Sequence, residues 1–99
     1  MVLVGNVQNK IAIIVDDMAD TCGTLLKAAD TLAENGARSV QALIVHGIFS
    51  GNGLQKIRDS KIERLVICNT VEVESEGIVR VLDVTTLLAK ELKMDRCFV

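Results

Sequence analysis

Proline, tryptophan and tyrosine are absent from this chain of 99 residues, and phenylalanine occurs only twice. A core without large aromatics has to be built from Val, Ile, Leu and Ala, which is the composition of a parallel sheet covered by helices. Excess positive charge is also lacking. There are 11 Lys plus Arg against 13 Asp plus Glu, a net charge of −2, so nothing here neutralises a row of phosphates and nucleic acid is excluded as a partner. No window approaches the roughly 18 uninterrupted apolar residues of a membrane span. Met1 to Gly5 carry no basic region of the kind that opens a secretory signal. Cysteine is sparse: Cys22, Cys68 and Cys97 are odd in number, far apart and never paired as C-x-x-C. A disulfide framework and a zinc site are therefore not expected, and a reducing, cytoplasmic setting is.

What remains is 49% apolar, too much for a disordered segment, and by size it makes at most one domain. Ile11-Ala12-Ile13-Ile14-Val15 is apolar at every position, the pattern of a strand buried on both faces. Across residues 24–35 the period changes: Leu25, Ala28, Ala29 and Leu32 recur at helical spacing, with Asn35-Gly36 as the stop. Residues 40–45 read as a strand, 54–60 as a short helix and 65–68 as a third strand. The acidic stretch 70–76 reads as a surface loop, 78–82 as a fourth strand and 85–93 as a final helix, with Asp83 or Thr85 as its N-cap. Val2 to Val7 could add a strand that turns back at Gln8-Asn9. The order is that of an α/β fold whose right-handed crossovers make the sheet largely parallel. The apolar start at Val2-Leu3-Val4 reads as a cut through a larger domain, so residues 1–99 are expected to be a single partial domain.

The densest chemistry lies in Ile13 to Thr24: a buried strand, two acids, a tight loop and the start of a helix. Ligands of open α/β sheets bind beyond the carboxyl ends of strands, and helix N-terminal N–H groups form a phosphate cradle. Thr21 and Thr24 add hydroxyls, and Gly23 lets a phosphate approach the backbone with no Cβ in the way. Asp16 and Asp17 repel phosphate but suit sugar hydroxyls or a metal ion bridging to an anion. Taken singly, the same residues also read as a solvated turn with Asp20 or Thr21 as an N-cap.

As one twelve-residue string the segment resembles the phosphoribosyl-diphosphate motif of the type I phosphoribosyltransferase fold. Asp17-Met18-Ala19-Asp20-Thr21-Cys22-Gly23-Thr24 narrows the resemblance to the ribose-phosphate diphosphokinase family, and Val45-His46-Gly47-Ile48-Phe49-Ser50-Gly51 agrees. Val4-Gly5-Asn6-Val7, with Asn6 as a departure, Cys68-Asn69-Thr70 and residues 78–92 also match. The resemblance implies the second half of that family's C-terminal domain. It implies transfer of the diphosphoryl group of Mg-ATP to ribose 5-phosphate, giving phosphoribosyl diphosphate and AMP, in a cytoplasmic homo-oligomer built from dimers into a hexamer. This segment would hold ribose 5-phosphate: Asp16 and Asp17 near the sugar hydroxyls or a Mg2+ ion, and Asp20, Thr21, Cys22, Gly23 and Thr24 around the 5-phosphate. Cys22 and Asp20 would contribute backbone N–H groups. The ATP site and the catalytic cations would lie in other parts of the parent, so the chain alone is expected to be inactive. Two alternatives stand beside this: a salvage phosphoribosyltransferase, and a non-catalytic regulatory paralogue of the synthetase.

His46, the only histidine, is expected to shape the Gly47 turn and not to act as a base. Phe49 is read as a packing or interface residue and Cys68 as a small buried hydrophobe. Glu72, Glu74 and Glu76 read as a solvated edge. Cys22 at a helix start could have a lowered thiol pKa.

Overall fold

The computed structural model describes residues 5–92. Within them, β1 (Ile11–Ala19), α1 (Gly23–Glu34), β2 (Ser39–Gly47), α2 (Gly53–Arg58), β3 (Ile62–Cys68), β4 (Val79–Leu82) and α3 (Thr85–Glu91) follow one another. The four strands form one parallel sheet in the order β1-β2-β3-β4, the α/β architecture expected from the strand and helix periods. Ile13 lies opposite Gln41 and Val15 opposite Leu43. The register slips after Val40, where β3 carries one extra residue and Ser39 Oγ donates to Glu63 at 2.8 Å.

A sheet whose strands run 1-2-3-4 by right-handed crossovers places every crossover on one face. The core follows from that. Val40, Ala42 and Ile44 of β2 and Ile62, Leu65 and Ile67 of β3 are buried together with Leu25 and Ala29 of α1 and Ile57 of α2. Ala29 and Ala42 are both fully covered, and their small side chains let α1 sit close to the sheet.

Among the described residues nothing covers the other face. Ile11, Ile13 and Val15 are 49%, 60% and 69% exposed, and Leu82 is 49% exposed. This corrects the expectation that β1 is buried on both faces: among the described residues it is an edge strand covered on one side only. Asp16-Asp17 also does not end the strand, which continues to Ala19. Residues 5–7 form no strand, although Gln8-Asn9 turns as expected, with Asn9 at a φ of 60°; the rest of the strand expected over 2–7 lies outside the described residues, as do Lys93 and Cys97. α3 buries none of its residues. It is clipped to β3 through Asn69, whose amide donates to Asp83 at 3.0 Å and whose carbonyl oxygen accepts from Val84 N–H at 2.9 Å. The expectation that Asp83 or Thr85 is the N-cap is corrected: Val84 holds that position, while Asp83 accepts from Thr85 N–H at 2.8 Å.

Candidate functional site

β1 delivers its last residues to the carboxyl edge of the sheet, and the chain must then turn into α1 within Asp20, Thr21 and Cys22. Cys22 makes the turn. It sits at the N-cap of α1 with a φ of 71° and ψ of 8°, a left-handed conformation that costs a non-glycine residue about 1–3 kcal/mol. Its carbonyl accepts from Leu26 N–H at 2.9 Å, its side chain is 5% exposed, and its thiol donates to Asp20 O at 3.5 Å. Nothing in the residue string pointed to Cys22, and not Gly23, as the strained position.

A depression of about 280 Å³ opens at this turn, lined by Asp16, Asp20, Thr21, Cys22, Gly23 and Thr24 among others. Six of the seven residues singled out in the sequence therefore meet in one place. Asp17 does not. It follows Asp16 on the strand and so projects from the opposite face, while its N–H donates to Asp16 Oδ1 at 2.8 Å. The two carboxylates do not converge, and among the described residues no group of three or more His, Cys, Asp or Glu gathers around a point. A metal site made by Asp16 and Asp17 together does not fit this geometry.

The helix start gives the depression free N–H donors. α1 has no side-chain cap and no acid in its first turn, so the N–H groups of Gly23, Thr24 and Leu25 precede the first α-helical donor, Leu26, and stay free for an outside acceptor. The reading of Asp20 or Thr21 as an N-cap is excluded by the same observation. At Gly23 an added Cβ would meet nothing within 4 Å, so the space over that residue belongs to the depression and not to the packed protein. The lowering of the Cys22 thiol pKa that a helix start can cause is not what the structure gives. Burial pushes it up, the Asp20 carboxylate adds to this, and Lys56 only partly opposes it.

The second motif string packs against the first. Ile48 and Phe49 N–H both donate to Ala19 O, at 2.9 and 3.2 Å, and Ser50 N–H donates to Asp20 Oδ1 at 3.0 Å. Phe49 is left-handed too, with a φ of 55°. Its ring lies over Gly47, where a Cβ would collide with Phe49 Cε2, and it packs against the core, the packing role expected of it. His46 Nδ1 lies 2.7 Å from Thr70 Oγ1, and that hydroxyl donates to Val45 O at 3.3 Å. The ring thus ties β2 to the exit of β3, a bonding role in keeping with the expectation that it shapes the turn.

Comparison with known proteins matches residues 1–96 to the family described as the phosphoribosyl synthetase-associated domain. The chain is 50% identical over 94 residues to ribose-phosphate pyrophosphokinase 4 of Saccharomyces cerevisiae, covering 94% of this chain and 29% of that protein. It is 45% identical over 94 residues to ribose-phosphate pyrophosphokinase 2 of Schizosaccharomyces pombe, covering 91% and 29%. Among solved structures it is similar to phosphoribosylpyrophosphate synthetase from Mycobacterium smegmatis, with a TM-score of 0.85 and 31% identity over 91% of this chain and 31% of that one. The chain thus spans about three-tenths of the length of these relatives.

Proposed function

This chain belongs to the phosphoribosyl synthetase-associated domain family, and from that premise we propose that it holds the ribose 5-phosphate end of a ribose-phosphate diphosphokinase, within the C-terminal domain of such an enzyme. One observation carries the reading. The string Asp16 to Thr24 closes around a single depression at an uncapped helix N-terminus, which offers N–H donors to a phosphate dianion at one end and a carboxylate to sugar hydroxyls at the other.

In this proposal the N–H groups of Gly23, Thr24 and Leu25 and the hydroxyls of Thr21 and Thr24 bind the 5-phosphate. Asp16 accepts from a ribose hydroxyl. Held at both ends, the sugar presents its C1 hydroxyl in a fixed direction, so that O1 attacks the β-phosphorus of ATP and AMP leaves. Fixing that direction is the contribution of this segment, since positioning and charge neutralisation dominate phosphoryl transfer. ATP, its Mg2+ and the cations that neutralise the transferring group belong to other parts of the parent, and no step is assigned here to a metal held by Asp16 and Asp17. Assembly into a homo-oligomer and a cytoplasmic location complete the proposal. The free thiols of Cys22 and Cys68 suit a reducing compartment.

Equilibrium dialysis with labelled ribose 5-phosphate tests the reading, because it tolerates oligomers of the chain. The wild type is expected to bind, and unlabelled phosphate to compete better than unlabelled ribose. Gly23→Val adds a Cβ that meets nothing within 4 Å and fills open ligand space, and it is expected to abolish binding. Thr24→Ala is expected to cost about 1–3 kcal/mol, the range for a hydrogen bond to a charged partner. With Mg-ATP added, the chain alone is expected to form no phosphoribosyl diphosphate. A wild type that does not bind, or a Gly23→Val variant that binds as the wild type does, sinks the assignment.

A further inference from the structure

The residues 46–53 line no part of the depression, yet they touch the loop that does at every turn. Ala19 O accepts two N–H groups from this segment, those of Ile48 and Phe49. The Asp20 carboxylate accepts Ser50 N–H at 3.0 Å. Gly53 is buried, and a Cβ there would stand 2.6 Å from Asp20 O and 3.3 Å from Cys22 Sγ. Both backbones are left-handed at a non-glycine residue, Cys22 on one side and Phe49 on the other. Strained conformations persist only where their surroundings over-determine them, and here each loop supplies the surroundings of the other.

We propose that Asp20 is a positioning residue and not a ligand: with Ser50 and the bare Cα of Gly53 it locks the 46–53 segment against the 20–24 loop and so fixes the direction in which the Gly23 and Thr24 N–H groups point. A carboxylate free to face the depression would repel the phosphate that the helix start attracts. Tied to Ser50, the carboxylate has an N–H donor of its own within the protein. Ser50, by its side chain and then its N–H, holds the Asp20 carboxyl below its ordinary value, as donation to the charged form requires. The proposal rests on the ribose 5-phosphate reading for its effect on affinity, but the lock itself can be observed without any ligand.

The experiment uses two readouts on the full chain. The first is the rate at which a thiol reagent labels Cys22, read from its tryptic peptide. The second is ribose 5-phosphate affinity by dialysis. Asp20→Ala is expected to label Cys22 severalfold faster and to weaken binding severalfold, because the loop that carries the donors is no longer held in one direction. Asp20→Asn keeps an oxygen that accepts from Ser50 N–H and is expected to recover most of both losses. Gly53→Ala, which lies outside the depression, is expected to reproduce Asp20→Ala because its Cβ drives the two loops apart. Far-UV circular dichroism is expected to stay unchanged for all three. If Asp20→Ala and Gly53→Ala label Cys22 at the wild-type rate, the lock is refuted. If Asp20→Asn labels slowly yet binds as poorly as Asp20→Ala, the carboxylate touches the ligand and the positioning role is refuted. A wild type that binds no ribose 5-phosphate while the labelling pattern holds overturns the site reading and leaves the lock standing.

Discussion

Asp20 titrates in a way that separates the loop from the rest of the fold. Its folded pKa lies below its ordinary value of 3.8. The Ser50 contact is therefore fully present above the unfolded pKa and is lost as pH falls through the lower, folded one. The contact is local and exposed, so its loss is expected to loosen the loop without unfolding the sheet. Hydrogen exchange at the Ser50 amide measures this: protection relative to the intrinsic rate is expected to hold down to the ordinary value of 3.8 and to drop at lower pH in the wild type, and to stay flat in Asp20→Asn, whose acceptor does not titrate in that range. Equal pH dependence in the two proteins would show that Asp20 does not hold Ser50. Cys22 carries the opposite lesson. Its place beside a helix start suggested a lowered pKa, but the side chain is turned into the core and burial raises it. Sequence position gave its neighbours along the chain, while its direction came from the left-handed turn.

At the scale of elements, the two faces of the sheet are expected to respond differently to the same kind of change. Ile44 of β2 is fully buried between the sheet and its helices, whereas Ile13 of β1 is 60% exposed on the bare face. Truncating Ile44 leaves a cavity in the core cluster, beside Ile67 on the neighbouring strand. Ile44→Ala is expected to cost about 2–5 kcal/mol, and Ile13→Ala to cost the smaller amount of a substitution outside the core, usually within about 0.5 kcal/mol. Urea unfolding followed by circular dichroism compares them. Equal losses would mean that something covers the bare face in solution. α3 offers a further contrast: Leu87, Leu88 and Leu92 are 60%, 56% and 60% exposed, so its attachment depends on the Asn69–Asp83 clip more than on buried area.

The whole molecule presents an unusual surface. An exposed apolar face runs from Ile11 through Val15 on a nine-residue edge strand, and no proline interrupts the chain. An edge of this kind is open to pairing by another chain, and apolar patches of this kind drive association. The isolated chain, with a mean hydropathy of +0.38, is expected to form concentration-dependent oligomers in sedimentation velocity. Val15→Lys, on the 69% exposed position, is expected to shift the distribution towards monomer. Because the depression opens at the carboxyl end of β1 and not across this face, ribose 5-phosphate binding is expected to survive Val15→Lys. A monomeric wild type at all concentrations would contradict this account of the face.

The sequence alone determined what depends on near neighbours. The helical spacing of Leu25, Ala29 and Leu32 set α1, the β-branched runs set the strands, and the string from Asp16 to Thr24 marked the place where a strand must turn into a helix beside free N–H groups. Those features follow from the periods of helix and strand and from backbone donors at a helix start, which residues within a few positions control. Three things were decided only by the tertiary structure. The strand order 1-2-3-4 put both crossover helices on one face and left Ile11, Ile13 and Val15 bare, although their run reads as a doubly buried strand. The pleat sent Asp17 away from Asp16, so the pair that looked like one chemical unit became two. Finally, Asp20 found Ser50, thirty positions along the chain, because parallel pairing of β1 with β2 brings their carboxyl ends side by side. Contacts of that range are fixed by which strands neighbour each other, and that choice is made by the burial of the whole sheet and not by any local run of residues.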